Sequence, residues 1–110
     1  MMTSNERKFY DLCKKYNLEY YWSGNGKLET KQEYVDSDQY YMLQYSSFSD
    51  ELYIAEDVKL FQRSDAIGYK GSCMFSIQKF IGILGKYNRF KLQLKLQKNN
   101  ERLEKINEDF

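Results

Sequence analysis

Leu18–Val35, LEYYWSGNGKLETKQEYV, is the stretch on which the fold turns. Two runs rich in β-forming residues flank Ser23, Gly24, Asn25 and Gly26, and an Asn-Gly pair tolerates the positive φ angles of a tight turn. The spacing predicts a hairpin. Its first strand covers 18–22, and its second covers 27–35 with Leu28, Thr30, Gln32 and Tyr34 on one face.

Working outward toward the C-terminus, Asp36, Ser37, Asp38 and Gln39 read as a second turn. Tyr40–Tyr45 reads as a third strand, and Glu51–Ala55 as a fourth after a Ser-rich loop. Residues 56–72 fit two patterns: Val58, Leu60 and Phe61 suit a strand or a helical turn, and Gly68 and Gly71 bracket a loop.

Toward the N-terminus, Thr3 and Glu6 form a capping box. Behind it Phe9, Leu12, Cys13 and Tyr16 keep the i, i+3, i+4, i+7 spacing of a half-buried helix over 4–16, which Asn17 ends.

After Ser72, a candidate N-cap, Ile77, Phe80, Ile81 and Leu84 sit at helical spacing up to a stop at Gly85. Gly82 weakens this helix by up to about 1 kcal/mol. Phe90, Leu92, Leu94 and Leu96 alternate as a strand would. Over a longer window Leu92, Leu96, Asn99, Leu103, Ile106 and Phe110 fall at spacings 4, 3, 4, 3, 4, a heptad seam. Lys91, Lys95, Lys98, Arg102 and Lys105 run beside it at the same period. Two stripes outweigh four alternating residues, so a helix over about 87–108 is expected, its seam packed on the protein's own sheet.

The expected fold is α+β, one domain over 1–110: an N-terminal helix, an antiparallel sheet of about four strands and two C-terminal helices packed on it. Strands grouped together, rather than alternating with helices, argue for that layering. The chain has 110 residues, enough for one core without a disulfide or metal staple. Cys13 and Cys73 lie in apolar patterns and read as buried free thiols in a reducing cytoplasm. No apolar leader and no apolar run of membrane length occurs, so a cytoplasmic, non-membrane protein is expected.

Histidine is absent, which removes the commonest general base, the commonest transition-metal ligand and the Ser-His and Cys-His nucleophile pairs. Two cysteines cannot complete a structural zinc site of the usual kind. Asp50, Asp57 and Lys59, or Glu29 and Lys31, have the acid-x-Lys look of a Mg²⁺ nuclease, a pattern that arises by chance where 30% of residues are charged. Gly68–Ser72 before a helix resembles an anion loop but lacks the P-loop ending. The expectation is a non-enzyme with no cofactor and no metal.

Charge is unevenly placed. Residues 32–58 hold Glu33, Asp36, Asp38, Asp50, Glu51, Glu56 and Asp57 with no Lys or Arg, whereas 85–100 hold Lys86, Arg89, Lys91, Lys95 and Lys98 with no acid. These poles either meet partners or pair with each other. Tyrosines crowd the strands, and adjacent strand residues face opposite ways, so Tyr21, Trp22, Tyr40 and Tyr41 are candidate exposed anchors.

The residue usage is rich in Tyr, Lys and Asn and lacks Pro, a bias of AT-rich coding. In size and composition the chain resembles small accessory proteins of bacteriophages and mobile elements, a likeness that no single residue carries. Two functions are expected from this. One is a macromolecule-binding protein, monomer or homodimer, that occludes a protein partner such as a host nuclease or CRISPR effector. The other is a nucleic-acid-binding protein that places the basic stripe Lys91, Lys95, Lys98, Arg102 and Lys105 on phosphates.

Overall fold

A computed structural model describes residues 2–35, 41–61 and 66–108, with side chains as far as Lys98. The architecture is α+β: helix α1 (Ser4–Lys15), five strands β1 (Glu19–Ser23), β2 (Lys27–Lys31), β3 (Leu43–Ser46), β4 (Glu51–Phe61) and β5 (Ala66–Met74), then helix α2 (Ile77–Glu108). The strands form one antiparallel meander in the order β1-β2-β3-β4-β5.

The β1–β2 hairpin forms around the expected turn, but its second strand ends at Lys31 rather than Val35, and Gln32 and Tyr34 leave the strand. Gly26, at φ +70°, donates its N–H to the Ser23 carbonyl at 3.3 Å, and the strands pair from Ser23↔Lys27 to Glu19↔Lys31. Leu28 and Thr30 are buried, as the alternation requires.

Residues opposite each other in an antiparallel ladder share a face. One row, Tyr21–Glu29–Gln44–Tyr53–Met74, crosses all five strands. Its tyrosine and glutamine converge on one carboxylate: Tyr21 Oη donates to Glu29 at 3.1 Å and Gln44 Nε2 at 3.0 Å. The opposite face carries Leu28, Leu43, Tyr45, Leu52, Ile54 and Val58, which join Phe9, Leu12 and Cys13 of α1 and Phe80, Ile83, Leu84, Tyr87 and Leu94 of α2 in one core.

Three expectations change. The sheet has five strands, because Val58, Leu60 and Phe61 extend β4, and the Gly68–Ser72 segment lies within β5 rather than in a loop. Ser72 is therefore not an N-cap. The two C-terminal helices are one: α2 runs through Gly82 and Gly85, whose weak propensity is outweighed by burial of Phe80, Ile83, Leu84 and Tyr87 on both sides of them. The described part of the seam does not pack on the sheet, for Leu92 and Leu96 are 58% and 54% exposed and Leu94 is buried instead; the side chains of Asn99, Leu103, Ile106 and Phe110 lie outside the described residues. The expected second turn and Tyr40 lie outside the described residues.

Helix α1 starts as expected. Thr3 Oγ1 accepts the Glu6 N–H at 3.1 Å and donates to Asp50 Oδ1 at 2.7 Å, so the cap also ties the helix to the β3–β4 turn. Thr3→Ala should cost about 1 kcal/mol, read as a fall in the urea midpoint at constant slope. Both cysteines are free thiols. Burial pushes the Cys13 thiol up to about 12. A thiol reagent should label Cys73 first in the native protein, and Cys13 only after denaturation.

Candidate interaction surface

Residues 32–35 form a strap across the far edge of the sheet. Tyr69 donates to Gln32 Oε1 at 3.2 Å, Tyr87 donates to the Glu33 carbonyl at 2.9 Å, and Ile67 N–H donates to the Tyr34 carbonyl at 2.7 Å. Val35 then bridges Ile67 in parallel. Tyr34 sits at φ +66°, a conformation that costs a non-glycine residue about 1 kcal/mol or more and persists because these bonds fix it. Burial pushes the Tyr69 and Tyr87 hydroxyls above the usual tyrosine range.

The basic stripe meets this strap. Lys95 approaches Glu33 at 4.0 Å, Lys98 lies 5.0 Å above the Tyr34 ring, and Lys91 lies 6.0 Å above the Tyr87 ring. One turn earlier, Lys86 pairs with Asp57 at 2.8 Å. The two charge poles of the sequence thus meet within the monomer. The side chains of Arg102 and Lys105 lie outside the described residues, as do Asp36 and Asp38.

The remaining acids are spread out. Asp50 accepts from Thr3 and Tyr45 at the end of α1, Glu51 accepts from Tyr53, and Glu56 is exposed beside Gly71. Asp50 and Asp57 therefore do not converge with Lys59, and no cluster suited to a metal occurs among the described residues.

Hydroxyls of Thr3 and Tyr45 hold the Asp50 carboxyl below its usual range, and the Lys86 ammonium with the Val58 N–H does the same for Asp57. Both contributions are complete above the ordinary carboxylate pKa and disappear as pH falls through the depressed native values. Urea unfolding along a pH series should show stability falling across that acid window, with a shallower fall in Asp57→Asn.

What the cations leave uncovered is apolar. Ile77, Ile81, Leu92 and Leu96 are exposed on one side of α2. At 100° per residue they occupy an arc of about 100°, roughly 130° from the centre of the buried stripe. Gly82 and Gly85 add a notch, since a Cβ on either would meet nothing within 4 Å. The helix thus carries exposed apolar residues on a second side that the sheet does not use, interrupted there by Asn88 and Lys95.

The aromatic anchors divide. Trp22 is 52% exposed and Tyr21 is exposed on the other face of β1, Tyr41 is half-buried, and Tyr40 lies outside the described residues. Tyr20, not one of those four anchors, is 46% exposed at the rim of the Phe9–Tyr10 cluster.

A cleft of about 270 Å³ opens between Tyr16–Glu19, Lys31–Glu33 and Leu84–Lys91. Its lining carries two lysines and two glutamates, so it has no net charge preference. Gln32 Nε2 is buried there without a hydrogen-bond partner among the described residues.

No family model, curated protein or solved structure matches the chain. The reading of function therefore rests on these surfaces alone. Among the described residues no helix is long and apolar enough to cross a membrane.

Proposed function

We propose that this chain is a non-enzymatic protein-binding module whose working surface is the outer apolar face of α2. One observation carries the reading: Lys95 and Lys98 lie beside Glu33 and Tyr34 of the chain's own strap, while Leu92 and Leu96 stand in solvent. A surface built for phosphates has no use for exposed leucines and keeps its lysines clear of acids; here Leu92 and Leu96 are more than half exposed and Lys95, itself exposed, has Glu33 beside it. The notch at Gly82 and Gly85 lets another backbone approach closely, which suits an apolar helix of a partner protein. Its effect on that partner is occlusion, with a host nuclease or CRISPR effector as the narrower form, and that form predicts stoichiometric inhibition.

The competing use of α2 is nucleic-acid binding. Fluorescence anisotropy with short DNA and RNA at low salt decides between them. The protein-binding reading expects no complex tighter than the roughly 10⁻⁴–10⁻⁶ M of non-specific electrostatic contact. A tighter complex that weakens steeply with salt, and that is lost on charge reversal at Lys95 and Lys98, would transfer the function to the basic stripe.

A further inference from the structure

The two edges of the sheet are treated differently. The β5 edge is covered by the chain itself at its start, where Ile67 hydrogen-bonds to Tyr34 and bridges Val35, and further along it carries Lys70 and Gly71 at φ +68°. At the other end of the strand order, β1 pairs with β2 and with no further strand among the described residues. Open edges are normally blunted by lysine, proline or a bulge. β1 has none of these: its sequence is Glu-Tyr-Tyr-Trp-Ser, and its register with β2 is unbroken over five consecutive pairs.

We infer that the β1 edge is a self-association site, at which a second copy of this chain adds its own β1 antiparallel about a two-fold axis at Tyr21. The turn sets the phase of the ladder. The Gly26 N–H bond closes the loop on Ser23 and Lys27, which makes Ser23, Tyr21 and Glu19 the residues that hydrogen-bond to β2. Alternation then points the backbone N–H and C=O groups of Tyr20 and Trp22 outward. A two-fold axis at Tyr21 sets Tyr20 against the second copy's Trp22, and Trp22 against its Tyr20, each pair exchanging two backbone hydrogen bonds.

The side chains suit the same register. On the helix side the row becomes Thr30, Tyr20, Trp22, Leu28, the last two from the second copy, and the exposed halves of both aromatics are covered. On the other side Glu19 faces Ser23 of the second copy, whose next neighbour is Lys27. No like charges stand opposite each other, whereas a parallel pairing in register would set Glu19 against Glu19.

The area is limited. Fully covered aromatics bury about 150–250 Å² each, so two half-exposed ones contribute about 150–250 Å² per copy together, against about 800 Å² in a standard interface. The dimer is therefore concentration-dependent, with dissociation in the micromolar range or weaker. It uses no residue of the α2 face, so its fate is independent of the function proposed above.

Sedimentation equilibrium over concentrations from micromolar to hundreds of micromolar tests it. A reversible dimer is expected, its dissociation constant raised at least tenfold by Trp22→Glu and unchanged by Leu96→Lys. A second measurement avoids any folding effect of the charge. In a Cys73→Ser background, Tyr21→Cys should form a disulfide dimer under mild oxidation much faster than Lys59→Cys, with the buried Cys13 inert in both. A monomer at every concentration, a dimer indifferent to Trp22→Glu, or equal cross-linking at positions 21 and 59 would overturn the inference.

Discussion

Phe80→Ala should remove about 3–5 kcal/mol of folding stability, the usual cost of truncating a fully buried phenylalanine. Phe80 is wholly buried on α2, and its ring meets Tyr16, the C-cap of α1, at 5.4 Å and Phe75 at 6.1 Å between centroids. It is one of the side chains through which α2 meets the end of α1 as well as the core of the sheet. A cavity there cannot collapse easily, because three elements would have to move together. Domains of this size have about 5–15 kcal/mol in total, so the variant should be near the edge of folding. Urea denaturation followed by far-UV circular dichroism checks it; a loss below about 1 kcal/mol would mean that the α2 packing is wrong.

Leu92→Lys combined with Leu96→Lys should do the opposite: leave stability within about 0.5 kcal/mol of the parent and abolish partner binding. Both side chains are more than half exposed, so neither removes core contacts, and lysine is a good helix former. In the bound state each lysine would place a charge in an apolar seam, a penalty of several kcal/mol for the pair and thus a loss of at least 100-fold in affinity. Thermal unfolding and a binding titration, run on the same preparation, separate the two effects. A destabilised variant would place these leucines in the core.

Much of the fold was legible because local signals and tertiary burial agree. The Thr3 N-cap, the spacing of Phe9, Leu12 and Cys13, and the turn at Gly24–Gly26 reappear where the sequence put them. β5 was not legible: Gly68 and Gly71 read as loop punctuation, yet Gly68 is a strand residue lying against the Phe61 ring, where its missing Cβ makes room.

The C-terminal helix misled in a more useful way. Leu92 and Leu96 belong to a 3.5-residue period and Leu94 to the face that packs on the sheet, so two apolar stripes overlap in one segment. Periodicity shows that a stripe exists but not what covers it. The signal available was the surplus: Ile77, Ile81, Leu92 and Leu96 exceed what one core-facing stripe requires. Pairing of the acidic and basic poles was one of two alternatives the sequence offered, but not which residues would meet, since Glu33 and Lys95 come together only because the strap folds over β5.

The most direct test of the α2 surface is site-specific photo-cross-linking in cells of the source organism, with a benzophenone amino acid at position 92 and, as control, at position 59 on β4. The account predicts a discrete protein adduct from position 92, none from position 59, and loss of the adduct when Leu96→Lys is added. No adduct at 92, equal adducts at both positions, or an adduct sensitive to nuclease rather than protease would contradict it.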